Sequence, residues 1–388
     1  MNIDGHLSRI KIAHIVPTFY PASYFGGPVF SVYGLCNALA RRGDVDLRVL
    51  TTDSSGPSRM DRLPVMSFPV SQPHGYEIYY CRKSWGKEFS FQLLRQLLSM
   101  VRWADVVHLT GVYSFTTLPV LFLCRLTGKP VVWSPRGALQ RWEGTTHRQL
   151  KAVWEAVCNR LLRPDRSVLH ATSTAEGIES GVRISRARTE IVPNGVEIPP
   201  LPVVRSWMPG GEIRLLYLGR LHPKKGIESL IRGLGRYSES ARLTICGSGA
   251  PGYEADLRTL VGELGLQDHV QFAGHVTGEG KWEAFRKADV CIIPSYTENF
   301  GMVVAESLAH GVPVIVNQGL PWDGVANRDC GLVVPNDAAS LAMAIDRVRR
   351  LDLSRMGQNG RRWMEEQFSW GRVAVRMHGV YRALTDQN

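Results

Sequence analysis

The sequence predicts an α/β protein made of two doubly wound, Rossmann-like domains that face each other across a cleft. Short apolar runs alternate with helical patterns along both halves of the chain, which is typical of βαβ units and parallel sheets. A stretch rich in proline and glycine separates the two alternations. The 388 residues also suit two domains, since one domain takes roughly 100–200 residues.

The first half predicts a strand, a helix and then four more strands. Each of the last three strands ends in a polar or glycine-containing turn. In chain order the segments are IKIAHIVPTF, VFSVYGLCNALARRG, LRVLTT, DVVHLTG, PVVWSPRG and VLHATS.

A linker and a second alternation follow. Five prolines lie between Pro193 and Pro209, directly before Gly210 and Gly211, and such a stretch predicts a linker. The later strands and helices, in order, are RLLYLGRL, IESLIRGLGRY, RLTICGSG, YEADLRTLVGELG, VQFAGHV, WEAFRKA, DVCIIPS, MVVAESLAHG and PVIVNQG. We therefore predict domains at 1–193 and 194–370. The pattern does not assign the last helical segment, WGRVAVRMHGVYRAL, to either domain.

Composition excludes several classes of protein. No run of 18 or more apolar residues predicts a membrane span, and Lys11 and His14 interrupt the first apolar stretch where a signal peptide would be continuous. A cytoplasmic location is therefore expected. The seven cysteines never form C-x-x-C, which predicts reduced core residues and no zinc site.

The positive charge is concentrated in the first half. Residues 1–200 contain 24 Lys/Arg and 15 Asp/Glu, whereas residues 201–388 contain 22 and 20. A basic half attracts an anionic membrane or a phosphorylated substrate, and solubility alone explains the charge equally well. No RNA- or DNA-binding signature accompanies it, so a nucleic-acid partner is not expected.

The segment ENFGMVVAE, residues 298–306, predicts an anion site. The helix expected to begin near Phe300 or Gly301 leaves its first backbone N–H groups without partners, and its dipole makes that end positive. Glu298 and Glu306 would be about 12 Å apart along a continuous helix, which is too far for a shared acid/base site of about 5–9.5 Å. They suit an elongated ligand with a central diphosphate. An exposed loop acid and a solvated helix residue are the alternative.

Two cations follow the first strand of the second domain. In RLLYLGRLHPKKGIESL, Arg220 lies two residues after the apolar core of the strand, and Lys225 lies immediately before Gly226 and another helix start. Their side chains can neutralise a departing diphosphate. A surface turn with basic residues is the competing interpretation.

Weaker signals lie at other strand ends. GSGAPG, residues 247–252, satisfies G-x-G-x-x-G, but the next strand ends without the acid expected on an NAD ribose. Asp44-Val45-Asp46 precedes its strand and so lies at the wrong edge of the sheet for a metal-dependent sugar transferase. Gly26-Gly27-Pro28 permits close ligand approach or is a plain helix-entry loop. His108 and Arg136 end strands of the first domain, either as acceptor-side groups or as structural ones.

Together these motifs resemble the retaining, GT-B-fold glycosyltransferases of family four. The resemblance covers nearly the whole chain. It rests on GGP, DVVH, IVPNGVE, GRLHPKKG, ENFGMVVAE, HGVPVIV and the FSW before the last helix. The double-Glu segment with GR and KG is the specific part.

The resemblance implies roles for individual residues. Arg220 and Lys225 match the diphosphate-binding pair, Glu298 the acid on the transferred sugar and Glu306 the acid on the ribose. The residues implied at the donor are Gly27, Gly219, Gly249, Asn299, Phe300, Gly301, Met302 and Val303, with Glu306. The last helix, 371–388, is implied to pack back on the N-terminal domain. The resemblance also implies that no metal or other cofactor is needed.

Two departures affect specificity. Thr110 stands where many relatives have a second histidine, and Gly319-Leu320-Pro321-Trp322-Asp323 replaces the usual G-G-x-P-E. SPRG and PW resemble a bacterial subgroup of exopolysaccharide and O-antigen (lipopolysaccharide) assembly.

The expected reaction is hexose transfer from a nucleotide diphosphate sugar to a lipid-linked or oligosaccharide acceptor at an anionic membrane surface. The alternatives are a nucleotide-sugar epimerase, a non-catalytic nucleotide-sugar-binding protein and, more distantly, an NAD-dependent oxidoreductase.

Overall fold

The chain forms two compact units. The computed structural model describes residues 9–65, 68–141, 146–200, 212–237 and 240–386. Unit 1 is Met1–Gly195 with Trp370–Asn388, and unit 2 is Val196–Ser369. The predicted linker is described only as far as residue 200, and its remainder, 201–211, lies outside the described residues.

Unit 1 is built on an eight-stranded sheet in the order β3-β4-β2-β1-β5-β6-β7-β8. All of its pairings are parallel except that of β3 with β4. The strands are β1 Ile10–Thr18, β2 Val45–Thr52, β3 Val70–Ser71, β4 Glu77–Cys81, β5 Val106–Thr110, β6 Val131–Ser134, β7 Ser167–Ala171 and β8 Arg188–Ile191. The helices of its first part are α1 Gly27–Ala40, α2 Phe91–Trp103, α3 Thr117–Thr127, α4 Arg148–Leu161 and α5 Thr174–Arg183.

Helices cover both faces of this sheet because its strands alternate between two apolar cores. Ile12 and Val106 belong to the core that includes α1, whereas Ala13 and Val107 belong to the core under α2 to α5. Burial on both faces explains why the strands are nearly continuous apolar runs.

Unit 2 has a six-stranded, fully parallel sheet in the order β11-β10-β9-β12-β13-β14. Its strands are β9 Ile213–Leu218, β10 Ala241–Cys246, β11 Val270–Gly274, β12 Val290–Ile293, β13 Val314–Asn317 and β14 Gly331–Val334. Its helices are α6 Ile227–Arg236, α7 Pro251–Glu263, α8 Gly278–Lys287, α9 Met302–Ala309, α10 Gly324–Asn327, α11 Ala338–Arg349 and α12 Leu353–Trp363. The predicted fold class, two doubly wound α/β domains, is confirmed.

The last helix, α13 (Trp370–Thr385), belongs to unit 1 and packs on α1. Met377 and Tyr381 are fully buried in the core beneath α1. None of the helices in the described ranges is long and apolar enough to cross a bilayer.

Candidate active site

Two neighbouring loops of unit 2 carry the residues that are predicted to bind the diphosphate and the transferred sugar. After β9 come Gly219 and Arg220, and a short 3-10 turn at Pro223–Lys225 leads into α6. After β12 the chain passes through Glu298 and enters α9. Because β9 and β12 pair in parallel, both loops leave the same edge of the sheet, where open α/β sheets bind ligands.

Lys225 and Glu298, 73 positions apart in the sequence, are hydrogen bonded directly, with Nζ donating to Oε1. Ser295 Oγ donates to the same carboxylate oxygen at 2.7 Å. The Lys225 and Glu298 side chains are 17% and 16% exposed. A ligand can therefore reach both groups, and Ser295 holds the carboxylate in position.

Arg220 adds a further positive charge to this loop. The residue is exposed, and among the described residues no hydrogen bond or ion pair involves its guanidinium. Burial, followed by the charge of Lys225, lowers the pKa of Lys224. Burial also lowers the pKa of His222, with smaller effects from Lys224, Arg220 and Lys225. The loop therefore carries a positive potential suited to phosphate.

The turn before α9 is held in a left-handed conformation. The helix begins at Met302, one residue later than expected, and Gly301 is its N-cap with φ 79°. Val304 N–H donates to the Gly301 carbonyl at 2.9 Å. The preceding N–H groups lie in the first turn, at the positive end of the helix dipole. Glycine is needed here because other residues rarely adopt this φ.

Trp322 holds this turn in place, a role that the sequence pattern did not predict. Its indole Nε1 donates to the Phe300 carbonyl, and its ring packs edge-on against Phe300 with centroids 5.2 Å apart. Trp363 and Phe368 surround the same indole, which is 2% exposed. The replacement of G-G-x-P-E by GLPWD was the only available signal.

Glu306, on the first turns of α9, has one bound and one unbound carboxylate oxygen. Its Oε1 pairs with Lys281 Nζ of α8 at 2.6 Å. Its Oε2 is buried without a hydrogen-bond partner among the described residues. A buried carboxylate oxygen of this kind is a strong acceptor for a ligand hydroxyl.

The GSGAPG segment has a structural reason for its glycines. Leu221 N–H donates to the Ser248 carbonyl at 2.9 Å, and a Cβ on Gly249 would lie 2.2 Å from the Leu221 carbonyl oxygen. The segment therefore packs backbone against backbone on the loop that carries Arg220. This contact explains Gly249 without a nucleotide.

In unit 1, the ends of β1, β5 and β6 meet the start of α1 around a cavity of about 200 Å³. Gly26 is the N-cap of α1, and Gly27 begins the helix with open space around it. Arg136 follows β6 and lines the cavity. Its Nη1 donates to Asn194 Oδ1 at 2.5 Å.

His108 lies in the interior, within a chain of hydrogen bonds whose direction is fixed. The Val192 carbonyl can only accept, so His170 Nε2–H donates to it at 2.8 Å. Ser134 O–H then donates to His170 Nδ1, and His108 Nε2–H donates to Ser134 Oγ, each at 2.6 Å. Tyr381 O–H completes the chain at His108 Nδ1, also at 2.6 Å. Burial lowers the pKa of both histidines well below its ordinary value, which keeps both rings neutral.

This geometry does not favour His108 as an acceptor-side group, because the ring is fully buried and both nitrogens are occupied. The structure brings Lys225 and Glu298 into contact and places Arg220 on the same loop as Lys225. Asp44 lies before β2, and Arg42 binds its carboxylate through Nε and Nη2 at 3.0 and 2.8 Å.

Two family models together match most of the chain. Residues 25–198 match the model described as Glycosyltransferase Family 4, and residues 206–363 match Glycosyl transferases group 1. This chain belongs to the family-four glycosyltransferases of the GT-B fold.

Two relatives illustrate matches that extend along most of both chains. An uncharacterized glycosyltransferase of Methanocaldococcus jannaschii is 27% identical, over 96% of this chain and 98% of its own. The GDP-mannose:cellobiosyl-diphosphopolyprenol alpha-mannosyltransferase of Xanthomonas oryzae is 26% identical, over 89% and 88%.

Solved structures share the GT-B fold. Sucrose-phosphate synthase of Thermosynechococcus elongatus has a TM-score of 0.71 at 23% identity, over 98% of this chain and 100% of its own. HepE of Anabaena, solved in complex with UDP-glucose, has a TM-score of 0.68 at 16% identity, over 96% and 99%.

Proposed function

We propose that this glycosyltransferase moves a hexose, with retention at the anomeric carbon, from a nucleotide diphosphate sugar to a hydroxyl of a lipid-linked or oligosaccharide acceptor. The proposed pathway is cell-surface polysaccharide biosynthesis, of the exopolysaccharide or lipopolysaccharide type. The observation that carries the proposal is the contact between Lys225 and Glu298 at the edge of a parallel sheet, on loops that also carry Arg220 and lead into α9.

The donor site follows from the charges around this contact. Arg220, Lys225 and the N-terminus of α9 would hold the diphosphate and stabilise it as it leaves. Glu298 would contact the transferred sugar, and the unpartnered Oε2 of Glu306 would accept from a ribose hydroxyl. The UDP-glucose complex of HepE supports a nucleotide-sugar donor.

In the proposed reaction the acceptor hydroxyl attacks from the face that the diphosphate leaves, and a phosphate oxygen takes its proton. The C–O bond to the diphosphate breaks as the new glycosidic bond forms, which retains configuration. Protein cations would take up the leaving-group charge, so we propose that neither a metal nor a cofactor is needed. Of the two acceptor-side candidates in the first domain, we propose that Arg136 contacts the acceptor and that His108 has a structural role.

We propose that the acceptor is presented at the inner face of the plasma membrane. The Xanthomonas relative, named for a diphosphopolyprenol acceptor, supports a lipid-linked substrate. The outer face of helices α2–α5 of unit 1 supports peripheral membrane binding. Nine large apolar side chains on this outer face are at least 37% exposed: Phe91, Leu98, Phe122, Leu126, Leu150, Val153, Val157, Ile178 and Val182.

Charge complements this apolar outer face. Helices α2–α5 contain seven basic residues and three acidic ones, and two of the acids, Glu155 and Glu176, are buried. An apolar surface this large on one layer is unusual for a soluble monomer. Exposed apolar groups among basic residues match the interface of an anionic bilayer.

Product analysis tests the proposal. The wild-type chain is incubated with a nucleotide hexose and a bacterial lipid-linked oligosaccharide extract, and the product's anomeric configuration is read by NMR. We expect acceptor-dependent transfer with the donor's configuration retained. An inverted product would contradict the retaining mechanism. Conversion of the donor without an acceptor would favour an epimerase, and binding without turnover would favour a non-catalytic binding protein.

A further inference from the structure

Two loops of unit 1 leave neighbouring strands at the same edge of its sheet. The first loop, residues 53–63, follows β2, and the second loop, residues 82–90, connects β4 to α2. Because β2 and β4 pair in parallel, both loops lie at the carboxyl edge, where open α/β sheets bind their ligands. Each loop is closed by an antiparallel bridge of its own. The two loops are therefore folded turns with defined tips.

A buried lysine joins these two loops. Lys83, in the second loop, is fully buried, and its Nζ donates to the Ser58 and Asp61 carbonyls of the first loop at 2.7 and 2.8 Å. Arg62 Nη2 of the first loop donates to the Lys83 carbonyl at 2.7 Å. Burial of an ammonium is costly unless hydrogen bonds compensate for the lost water, and here the first loop supplies the acceptors. The proposed reaction does not involve Lys83, so we assign it to holding the two loops together.

The tips of the two loops expose large apolar side chains. Met60, in the first loop, is 85% exposed, and Trp85, in the second loop, is 74% exposed. The Phe89 N–H donates to the Trp85 carbonyl at 3.1 Å and so closes the second tip. Ser84 Oγ accepts from the N–H of Phe91, which begins α2 and is also exposed. Exposed apolar groups that gather in one region mark an interaction surface, whereas scattered single ones do not.

Basic residues flank the two tips, and the acidic residues of the loops are less exposed. Three basic residues beside the tips are exposed: Arg59, Arg82 and Lys87. The acids of the loops are buried or partly buried: Asp53, Asp61 and Glu88. Tryptophan together with lysine and arginine is typical of segments that lie in the interface of an anionic membrane. The core of a protein–protein interface is instead depleted in charged residues, lysine among them, so this composition favours a bilayer.

We propose that the tips at Met60 and Trp85 form a two-point anchor that enters the interface of an anionic bilayer. The indole of Trp85 lies among the lipid headgroups, where tryptophan is enriched, and the flanking cations contact lipid phosphates. The anchor adjoins the outer face of α2–α5 at Phe91 and turns the carboxyl edge of this sheet towards the lipid surface. The choice of a bilayer as the partner rests on the membrane part of the proposed function.

Vesicle sedimentation tests the anchor with the full chain and phosphatidylglycerol vesicles. The anchor variant, Met60→Ser with Trp85→Ser, should bind at least about tenfold more weakly than wild type, because two exposed apolar side chains no longer leave water. The matched control makes the same changes at two exposed residues of unit 2, Met343→Ser with Trp282→Ser, and should bind like wild type. Equal binding by the anchor variant and wild type overturns the proposal. Unchanged vesicle binding with loss of a wild-type dimer would assign the tips to an interface between copies, which also overturns it.

Fluorescence quenching locates Trp85 relative to the lipid. Phospholipids with bromine on their acyl chains quench tryptophans that enter the bilayer. We expect these vesicles to quench wild type, Trp85→Phe to lose most of this quenching, and Trp282→Phe to retain it. If Trp85→Phe is quenched as strongly as wild type, Trp85 does not enter the bilayer and the proposal fails.

Sugar transfer in two acceptor preparations separates the anchor from the reaction. The anchor variant should match wild type when the lipid-linked acceptor is dissolved in detergent, and should be at least about tenfold slower when the acceptor is in vesicles. Equal losses in both preparations would show that Met60 and Trp85 serve the reaction itself, which contradicts the anchor. Wild type that binds vesicles but transfers no sugar would count against the proposed function and not against the anchor.

Discussion

Lys225 and Glu298 share a hydrogen bond in a partly exposed position. Exposed ion pairs contribute about 0–1 kcal/mol to stability, so stability gives little reason for their pairing across two strand-end loops. A leaving diphosphate and a transferred sugar supply a stronger reason. This distinction predicts that Lys225 and Glu306 differ in the kinetic parameter they control.

We expect Lys225→Ala to lower kcat at least about 100-fold, or about 2.7 kcal/mol, because its charge acts on the leaving group. Glu306→Ala should raise the KM for donor about tenfold with kcat nearly unchanged, because a ribose contact is the same in ground and transition states. Steady-state kinetics with varied donor checks both. Lys287→Ala, at an exposed lysine of α8, is the control. A Lys225→Ala rate within about tenfold of wild type would remove this residue from the chemistry.

Trp322 acts through its neighbour, because its indole N–H fixes the Phe300 carbonyl ahead of α9. Trp322→Phe keeps an aromatic ring in the cluster but loses that donor. We expect a rise of about tenfold in the KM for donor and a smaller change in kcat. Donor titration followed by intrinsic fluorescence measures the affinity directly. Unchanged donor affinity in a folded variant would limit Trp322 to packing.

At the scale of elements, local patterns predicted most of the fold. Strands such as β5 and β12 are short, apolar and bounded by turns, so they can be predicted from the local sequence alone. Two features depended on contacts distant in sequence. The pattern did not assign α13 to a domain because its partner, α1, lies more than 300 residues earlier. The role of Trp322 likewise appears only once folding brings Phe300 next to it.

On the outer face of α2–α5, helix α4 carries the longest row of exposed apolar side chains, and we predict that this row contributes to membrane binding. Replacing Leu150, Val153 and Val157 of α4 by serine should reduce binding to phosphatidylglycerol vesicles at least about tenfold, since each side chain loses apolar burial. Vesicle sedimentation measures the bound fraction. The matched control replaces two exposed apolar residues of unit 2, Leu264 and Met343.

Wild-type binding should also weaken as salt rises, because basic residues contribute to it. Salt-insensitive sedimentation would contradict the electrostatic part of this account. Equal vesicle binding by the α4 triple variant and wild type would show that the membrane-contact surface does not include α4.

For the whole molecule, buried histidines predict loss of stability in acid. Burial lowers the pKa of His14 to about 3 and the pKa of His108 and His170 well below the ordinary value. Below about pH 6.5 the unfolded chain therefore binds more protons than the folded chain. The free energy of unfolding decreases by about 1.4 kcal/mol for each histidine with every unit by which the pH is lowered.

Chemical denaturation between pH 7.5 and 4.5 measures this slope. His14→Phe should make the slope shallower by about 1.4 kcal/mol per pH unit, whatever its effect on stability at neutral pH. His275→Gln, at an exposed position, should leave it unchanged. A slope that is the same in His14→Phe and wild type would contradict the neutral, buried state of this ring.

The most direct test of the central claim is a thermal-shift panel of UDP-, GDP- and TDP-sugars on wild type and Lys225→Ala. A bound donor stabilises the folded chain by mass action, about 2.7 kcal/mol at 100 times its Kd. We predict that one nucleotide class raises the melting temperature of wild type and that Lys225→Ala loses this shift. Equal shifts in both proteins, or no shift with any nucleotide sugar, would contradict a donor site built on Arg220, Lys225 and Glu298.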